Sequence, residues 1–408
     1  MATWFASLLL TDRFMTLLTS ESLYQMSCIS GSNFESDYYR DINYQQFATL
    51  RNLRAVKGSR EYSMPSLPHG FIEWLNNESQ SGQVETVSMI ASSVIGQVIP
   101  SIMRKVRNLH RLRLHAVYSL QDVMKPDHWA QSSVGYTEIE ILSGREDHCL
   151  SSHLGPLLGH QHGVYIPHLT RLSIPVCCLH QATQEFAALI PANFPALTDL
   201  GLSLCSRECN RSPGQILLRI FKSDWSQLIG LSITDRFSSE ELDFALSATP
   251  NVRILNCCMD KYPLDLEVIR SRLLRLVDLN LPSSKIIYSQ PKQVSIATSR
   301  IRSVSVQFTV ISIDLLRFIF TASPCLRALS INNCQIQEDV ARYGVRQAAK
   351  TPLVNLDVVA FSAAADEPFS EHMITLIQAF ASATKLHVST GPAQKEEIYA
   401  RYPHIKFA

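Results

Sequence analysis

Apolar residues in this chain return in a short array: apolar, two free positions, apolar, one free position, apolar. The stretch "LRALSI", residues 326–331, shows it most cleanly with Leu326, Leu329 and Ile331. The last two apolar positions are two residues apart, so in a strand both side chains point to one side. The residue between them points to the other. Matches begin at Leu50, Val84, Leu109, Tyr136, Leu169, Leu197, Leu228, Val252, Leu276, Ile301, Leu326, Leu353 and Ala383. Such a loose array also matches by chance, so spacing is the stronger test. From Leu197 to Leu353 the successive steps are 31, 24, 24, 25, 25 and 27 residues.

The segments between the arrays carry a second pattern. In "SSEELDFALSATPN", before Val252, Ser238 and Glu241 form a capping box. Leu242, Ala245 and Leu246 share one helical face, and Pro250 ends the helix. Before Leu326 the order returns, with Ser312 as cap, Leu315, Leu316, Ile319 and Phe320 on one face, then Pro324. Phe186, Leu189 and Ile190, followed by Pro191 and Pro195, precede Leu197. Met373, Ile374, Ile377 and Phe380 precede Ala383. Each unit therefore reads as helix, break, short strand and turn.

A period of about 25 to 30 residues with this content resembles the leucine-rich repeat. One such unit cannot bury its apolar face, and stacked neighbours bury it jointly. The resemblance implies an α/β fold: a leucine-rich-repeat solenoid with a curved parallel sheet on the concave side, helices on the convex side and a small helical N-terminal cap. In such repeats the ninth array position is Asn or Cys, buried where the chain leaves the strand. Cys177, Cys205 and Cys334 fall there, as do Val117, Arg236, Asp260, Ser284, Thr309 and Phe361, so the slot is degenerate. The repeats are expected over residues 81–408, with a linker and irregular first repeat at 31–80 and a separate helical segment at 1–30.

That first segment, "SLLLTDRFMTLLTSESLYQ" at residues 7–25, resembles the closing helices of an F-box. The features are a Leu-rich run, Arg13-Phe14, Leu17-Leu18 and Leu23-Tyr24. The F-box's opening Leu-Pro motif has no counterpart ahead of Leu8, so the resemblance covers about the last half of the motif. Fungal F-box/leucine-rich-repeat proteins run from such a segment into irregular repeats. They serve as substrate receptors of SCF-type (cullin–RING) ubiquitin ligases. The resemblance implies that Leu8, Leu9, Leu10, Phe14 and Leu17 face the Skp-family adaptor. Two other readings stay open: an N-terminal cap on the first repeat, and a leucine-rich-repeat scaffold with no ubiquitin-ligase link.

Composition narrows the function. The 408 residues are 46% apolar and 18% charged, with a formal net charge of +1. That is ordinary globular composition, and it argues against a broad nucleic-acid track. No window approaches eighteen uninterrupted apolar residues, so no membrane span is expected. "MATWFASLLLTDRF" lacks a basic leader region and reads as mature sequence. The ten cysteines include no C-x-x-C and are expected as free thiols in an intracellular chain, cytoplasmic or nuclear.

Chemistry-bearing motifs are sparse. The stretch at 146–168 holds His148, Cys149, His153, His160, His162 and His168. Its spacing matches no zinc site, and a solvated insertion is the expectation. There is no Walker A, G-x-G-x-x-G or G-x-S-x-G. Neither catalysis nor a cofactor is expected. The outward residue of each strand is the better candidate for contact with a protein substrate. In order these are Arg113, Glu140, Ser173, Gly201, Ser232, Asn256, Asn280, Ser305, Ser330, Asp357 and His387. The central ones are small, polar and uncharged, which suits a protein or peptide. A phosphate-reading face would carry a row of Arg or Lys there instead.

Overall fold

Parallel strands one repeat apart, with helices between them in the second half of the chain, make up most of the described residues. The computed structural model describes residues 55–57, 86–90, 110–117, 135–143, 165–176 and 190–204 and, with short breaks, 218–289, 299–401 and 406–407. The chain divides into two compact units, Met1–Ser212 and Pro213–Ala408.

In the first unit the strands are β1 (Ala55–Lys57), β2 (Thr86–Ile90), β3 (Arg111–Val117), β4 (Glu138–Ser143), β5 (Arg171–Val176) and β6 (Asp199–Leu204). Each pairs in parallel with the next in sequence. In the second unit the main ladder is β7 (Gly230–Thr234), β8 (Ile254–Cys258), β10 (Asp278–Pro282), β12 (Ser303–Gln307), β13 (Ala328–Asn332), β14 (Val358–Ser362), β15 (Lys385–Ser389) and β16 (Lys406–Phe407). The short strands β9 (Leu264–Asp265) and β11 (Ile286–Ile287) form a separate parallel pair. Helices α1 (Ser239–Ala248), α2 (Leu266–Arg272), α3 (Ile313–Ala322), α4 (Glu338–Lys350), α5 (Glu371–Ala379) and α6 (Pro392–Arg401) lie between or after them.

The array residues build the core. Leu228, Leu231 and Ile233, Val252, Leu255 and Cys257, Leu276, Leu279 and Leu281, Ile301, Val304 and Val306, and Leu326, Leu329 and Ile331 are each at most 2% exposed. The helices close it with the expected faces: Leu242, Ala245 and Leu246 of α1, and Leu315, Leu316, Ile319 and Phe320 of α3, are buried. The caps also hold. Glu241 N donates to Ser238 Oγ at 3.2 Å, and Ser238 N donates to Glu241 Oε2 at 2.8 Å. Ser312 Oγ accepts from Leu315 N at 3.2 Å.

Two backbone devices fix the register. First, the N–H of the first apolar residue donates to the carbonyl three residues back. Leu326 to Ser323, Leu276 to Leu273, Val252 to Thr249 and Leu228 to Trp225 all do so. Second, the carbonyl of the next residue accepts two N–H groups from the following repeat. Arg253 O takes Val277 N at 2.8 Å and Asp278 N at 2.9 Å, and Arg302 O takes Arg327 N and Ala328 N likewise.

These devices correct two array assignments. Leu356 N, not Leu353 N, closes the three-residue turn, donating to Leu353 O at 3.2 Å. The array there is Leu356, Val359 and Phe361, all buried. Leu353 and Leu356 are themselves three apart, so the bare pattern fits both frames. Phe361 is accordingly a strand core residue rather than an occupant of the turn slot. In the first unit, Val56 rather than Leu53 stands opposite Val87, the second apolar position of the array at Val84, and Leu50 and Leu53 lie outside the described residues.

The turn slot is polar and bonded between repeats. Ser284 Oγ accepts from Met259 N at 3.0 Å and lies 3.1 Å from Cys257 O. Thr309 Oγ1 donates to Ser284 O, and Cys334 Sγ to Val306 O at 3.6 Å. Cys177 and Cys205 lie outside the described residues. Because Ser284 is 1% exposed, Ser284→Ala strands the Met259 N–H without a partner. A loss of about 1–3 kcal/mol is expected, read from urea melts. Ser247→Ala, on the exposed side of α1, is expected to stay within about 0.5 kcal/mol.

Candidate protein-binding face

The outward positions form continuous rows because the strand register holds through them; in the first unit it shifts between β3 and β4 only past Leu114. In the first unit Arg113 pairs with Glu140, Glu140 with Ser173, and Ser173 with Gly201. Two residues earlier in each strand runs a second row: Arg111, Glu138, Arg171 and Asp199. Its charges alternate. Glu138, 6% exposed, lies 3.7 Å from both Arg111 and Arg171, and Arg171 reaches Asp199 at 3.8 Å. The face of this unit is therefore charged and internally compensated.

The second unit differs. Its central row is Ser232, Asn256, Asn280, Ser305 and Ser330, on five adjacent strands about 4.8 Å apart. Asn256 Nδ2 donates to Ser232 Oγ at 3.1 Å, and Asn280 Nδ2 to Asn256 Oδ1 at 3.3 Å. Asn280 Oδ1, in the middle of the row, has no hydrogen-bond partner. Ser330 pairs with Ala360, and Ala360 with His387. Asp357 thus falls outside the row. Its N–H donates to Arg327 O at 2.8 Å, one residue before β14 begins. The cause is the three-residue shift of frame from Leu353 to Leu356.

A further polar row was not anticipated. Gln307, Asn332, Ser362 and Ser389 pair in sequence at the strand ends. Asn332 Nδ2 donates to Ser330 Oγ at 2.8 Å, and Ser362 Oγ to Asn332 Oδ1 at 3.0 Å. Strand alternation was the available signal, since each lies two residues beyond the central row. Side chains already bonded to each other hold their rotamers before a partner arrives, which lowers the entropy cost of contact.

Beyond those ends, Ser283, Phe308 and Asn333 take left-handed conformations, with φ of 48°, 50° and 51°. Each N–H donates to the last strand residue of the next repeat: Ser283 to Gln307 O, Phe308 to Asn332 O and Asn333 to Ser362 O. Asparagine tolerates this conformation, whereas phenylalanine is strained in it. Phe308 is also 63% exposed. No alternating pattern in the sequence signals it.

Leu8, Leu9, Leu10, Phe14 and Leu17 lie outside the described residues, as do His148, Cys149, His153, His160 and His162. His168 is described and exposed. Among the described residues no group of three or more His, Cys, Asp or Glu is placed to hold a metal ion. Among them, too, no helix is long and apolar enough to cross a membrane. Burial pushes the Cys257 thiol far up, with Cys258 beside it adding to the effect, and burial also raises Cys334. Both are held in the protonated, unreactive form.

The arrangement is that of an α/β leucine-rich-repeat protein, one strand per repeat in a parallel ladder. No protein-family profile matches the chain, and neither does any curated protein. Among solved structures, a leucine-rich-repeat protein of Leptospira interrogans matches at 14% identity and a TM-score of 0.34, over 91% of this chain and 97% of that one. The yeast Rad7–Elc1 complex matches at 12% identity and a TM-score of 0.38, over 79% of this chain and 89% of that one.

Two outcomes are expected. Replacing Phe308 with Asn removes left-handed strain at an exposed site, so stability should rise by roughly 1 kcal/mol in denaturant melts. In native protein, iodoacetamide should label exposed Cys325, with Cys257 modified only after unfolding, as resolved by peptide mass spectrometry.

Proposed function

We propose that this chain is a non-catalytic, intracellular receptor that holds a substrate protein against the open face of its repeats. The observation that carries this reading is the Ser232–Asn256–Asn280–Ser305–Ser330 row. It offers hydroxyls and amides at a regular spacing, fixed to a rigid sheet. Such a surface recognises backbone and polar side chains and lacks a nucleophile–base pair. The F-box-like segment supports a finer reading, in which the chain is the substrate-recognition subunit of an SCF-type ubiquitin ligase. The N-terminal segment then grips the Skp-family adaptor, and other subunits carry out ubiquitin transfer.

Co-purification of the tagged full chain with the Skp-family adaptor tests the ligase link. A stoichiometric complex is expected, weakened at least tenfold by Phe14→Ala with Leu17→Ala. Absence of any complex sinks the ligase link. The receptor reading is tested separately, by a photo-crosslinking residue in place of Ser305. A discrete protein adduct in cells supports it, and no adduct at Ser305 or Ser330 removes it.

A further inference from the structure

The edge of the sheet where the strands begin is unlike the rest of the second unit. Its described arginines fall into two groups, apart from Arg346 of α4, which is exposed and has no ion-pair partner among the described residues. On the helices, Arg270 bonds Glu267, Arg272 bonds Asp243, Arg317 bonds Asp314, Arg342 bonds Glu338 and Arg401 bonds Glu397. At the sheet edge, Arg253, Arg275, Arg300, Arg302 and Arg327 are exposed, and among the described residues none of them has an ion-pair partner. Two carboxylates share this edge, Asp278 and Asp357, and neither pairs with these arginines.

The five fall at two repeat positions, one on either side of the first apolar residue of an array. Arg253, Arg302 and Arg327 each follow the first apolar residue of an array, Val252, Ile301 and Leu326. Arg275 and Arg300 each precede one, Leu276 and Ile301. Their backbones are locked, since the carbonyls of Arg253, Arg302 and Arg327 each take two N–H groups from the next repeat. The same position in the first unit has a structural use. There Thr170 Oγ1 donates to Thr137 O at 3.0 Å, and Thr198 Oγ1 to Thr170 O at 3.2 Å. Fold maintenance at this position therefore asks for nothing longer than threonine, and the guanidinium groups are free to meet something else.

We infer that this edge, formed by Arg253, Arg275, Arg300, Arg302 and Arg327, docks a protein segment rich in Asp and Glu. The inference rests on the receptor reading above and specifies the chemistry of the partner. Three features select carboxylates. All five cations are arginine, whose planar fork matches a carboxylate in two parallel hydrogen bonds. They are strung over four consecutive repeats, about 14 Å from first to last at the strand spacing. A string of that kind meets several monovalent groups along a segment, whereas one phosphate dianion needs cations that converge on a point. The row that opens the strands, Ile254, Asp278, Ser303, Ala328 and Val358, and the Ser and Asn row beyond it carry no cation, so the floor adds nothing to hold the phosphate backbone of a nucleic acid.

Binding of a fluorescent 16-residue Glu–Ser alternating peptide to the full chain tests this. Its Gln–Ser counterpart, 16-nucleotide single-stranded and duplex DNA, a neutral peptide with one phosphoserine, and phosphatidylserine-containing vesicles are titrated beside it. The Glu peptide is expected to bind most tightly and to weaken as salt rises. Arg302→Glu with Arg327→Glu should weaken it at least tenfold. Arg302→Gln with Arg327→Gln should give an intermediate loss, and the matched helix variant R346E/K350E should stay within twofold. The inference is overturned if the edge variants bind the peptide as wild type does, or if DNA, vesicles or the phosphoserine peptide bind more tightly. A Ser305 photo-adduct that persists in the edge variant likewise overturns it while leaving the receptor reading intact. No adduct at all removes both.

Discussion

Each repeat hands one backbone carbonyl to two N–H groups of the next, and the rest of the ladder follows from that clamp. His110, Thr137 and Thr170 do so in the first unit, and Ile229, Arg253, Val277, Arg302 and Arg327 in the second. The clamp sits one residue after the first buried apolar side chain, beside the turn that this residue closes. It therefore ties burial to register: sliding a strand by one residue would expose its core pair and break both bonds together. With the register held, side chains at one sequence position line up across strands, and a row of identical chemistry becomes a surface.

Much of this was readable in the sequence, because the core obeys a short spacing rule. Leu329 and Ile331, the Ser238–Glu241 cap and the buried face of α3 all follow from local periodicity. The shifted frame at Leu353 did not, because two leucines three apart satisfy the array twice. The turn hydrogen bond at Leu356 breaks the tie, and it is invisible without coordinates. Phe308 was silent for another reason. Left-handed backbone announces itself through Gly or Asn, and here a neighbouring repeat imposes it on an aromatic residue. The arginine edge was legible in principle. It lies one residue outside the alternating positions that strand logic selects, at the point where strand geometry has not yet begun.

The two units solve the same position differently. Threonine ties neighbouring repeats together in the first, and arginine stands clear of the sheet in the second. Their open faces diverge in the same sense. One face neutralises its own charges through Glu138 and its flanking arginines, and the other is a bonded array of amides and hydroxyls. A common backbone plan thus leaves the outward positions free to specialise.

The helices are where the repeats disagree in length. Helix α2 has 7 residues and α4 has 13, yet the strands on either side keep one register. Contacts run only between neighbours in such a stack, so slack taken up on the helical side is not transmitted along the sheet. Descendants of this chain should gain and lose residues between strands readily, while the spacing of its outward rows is inherited almost unchanged. A surface whose ruler is conserved and whose lettering is free can acquire new partners by point substitution alone.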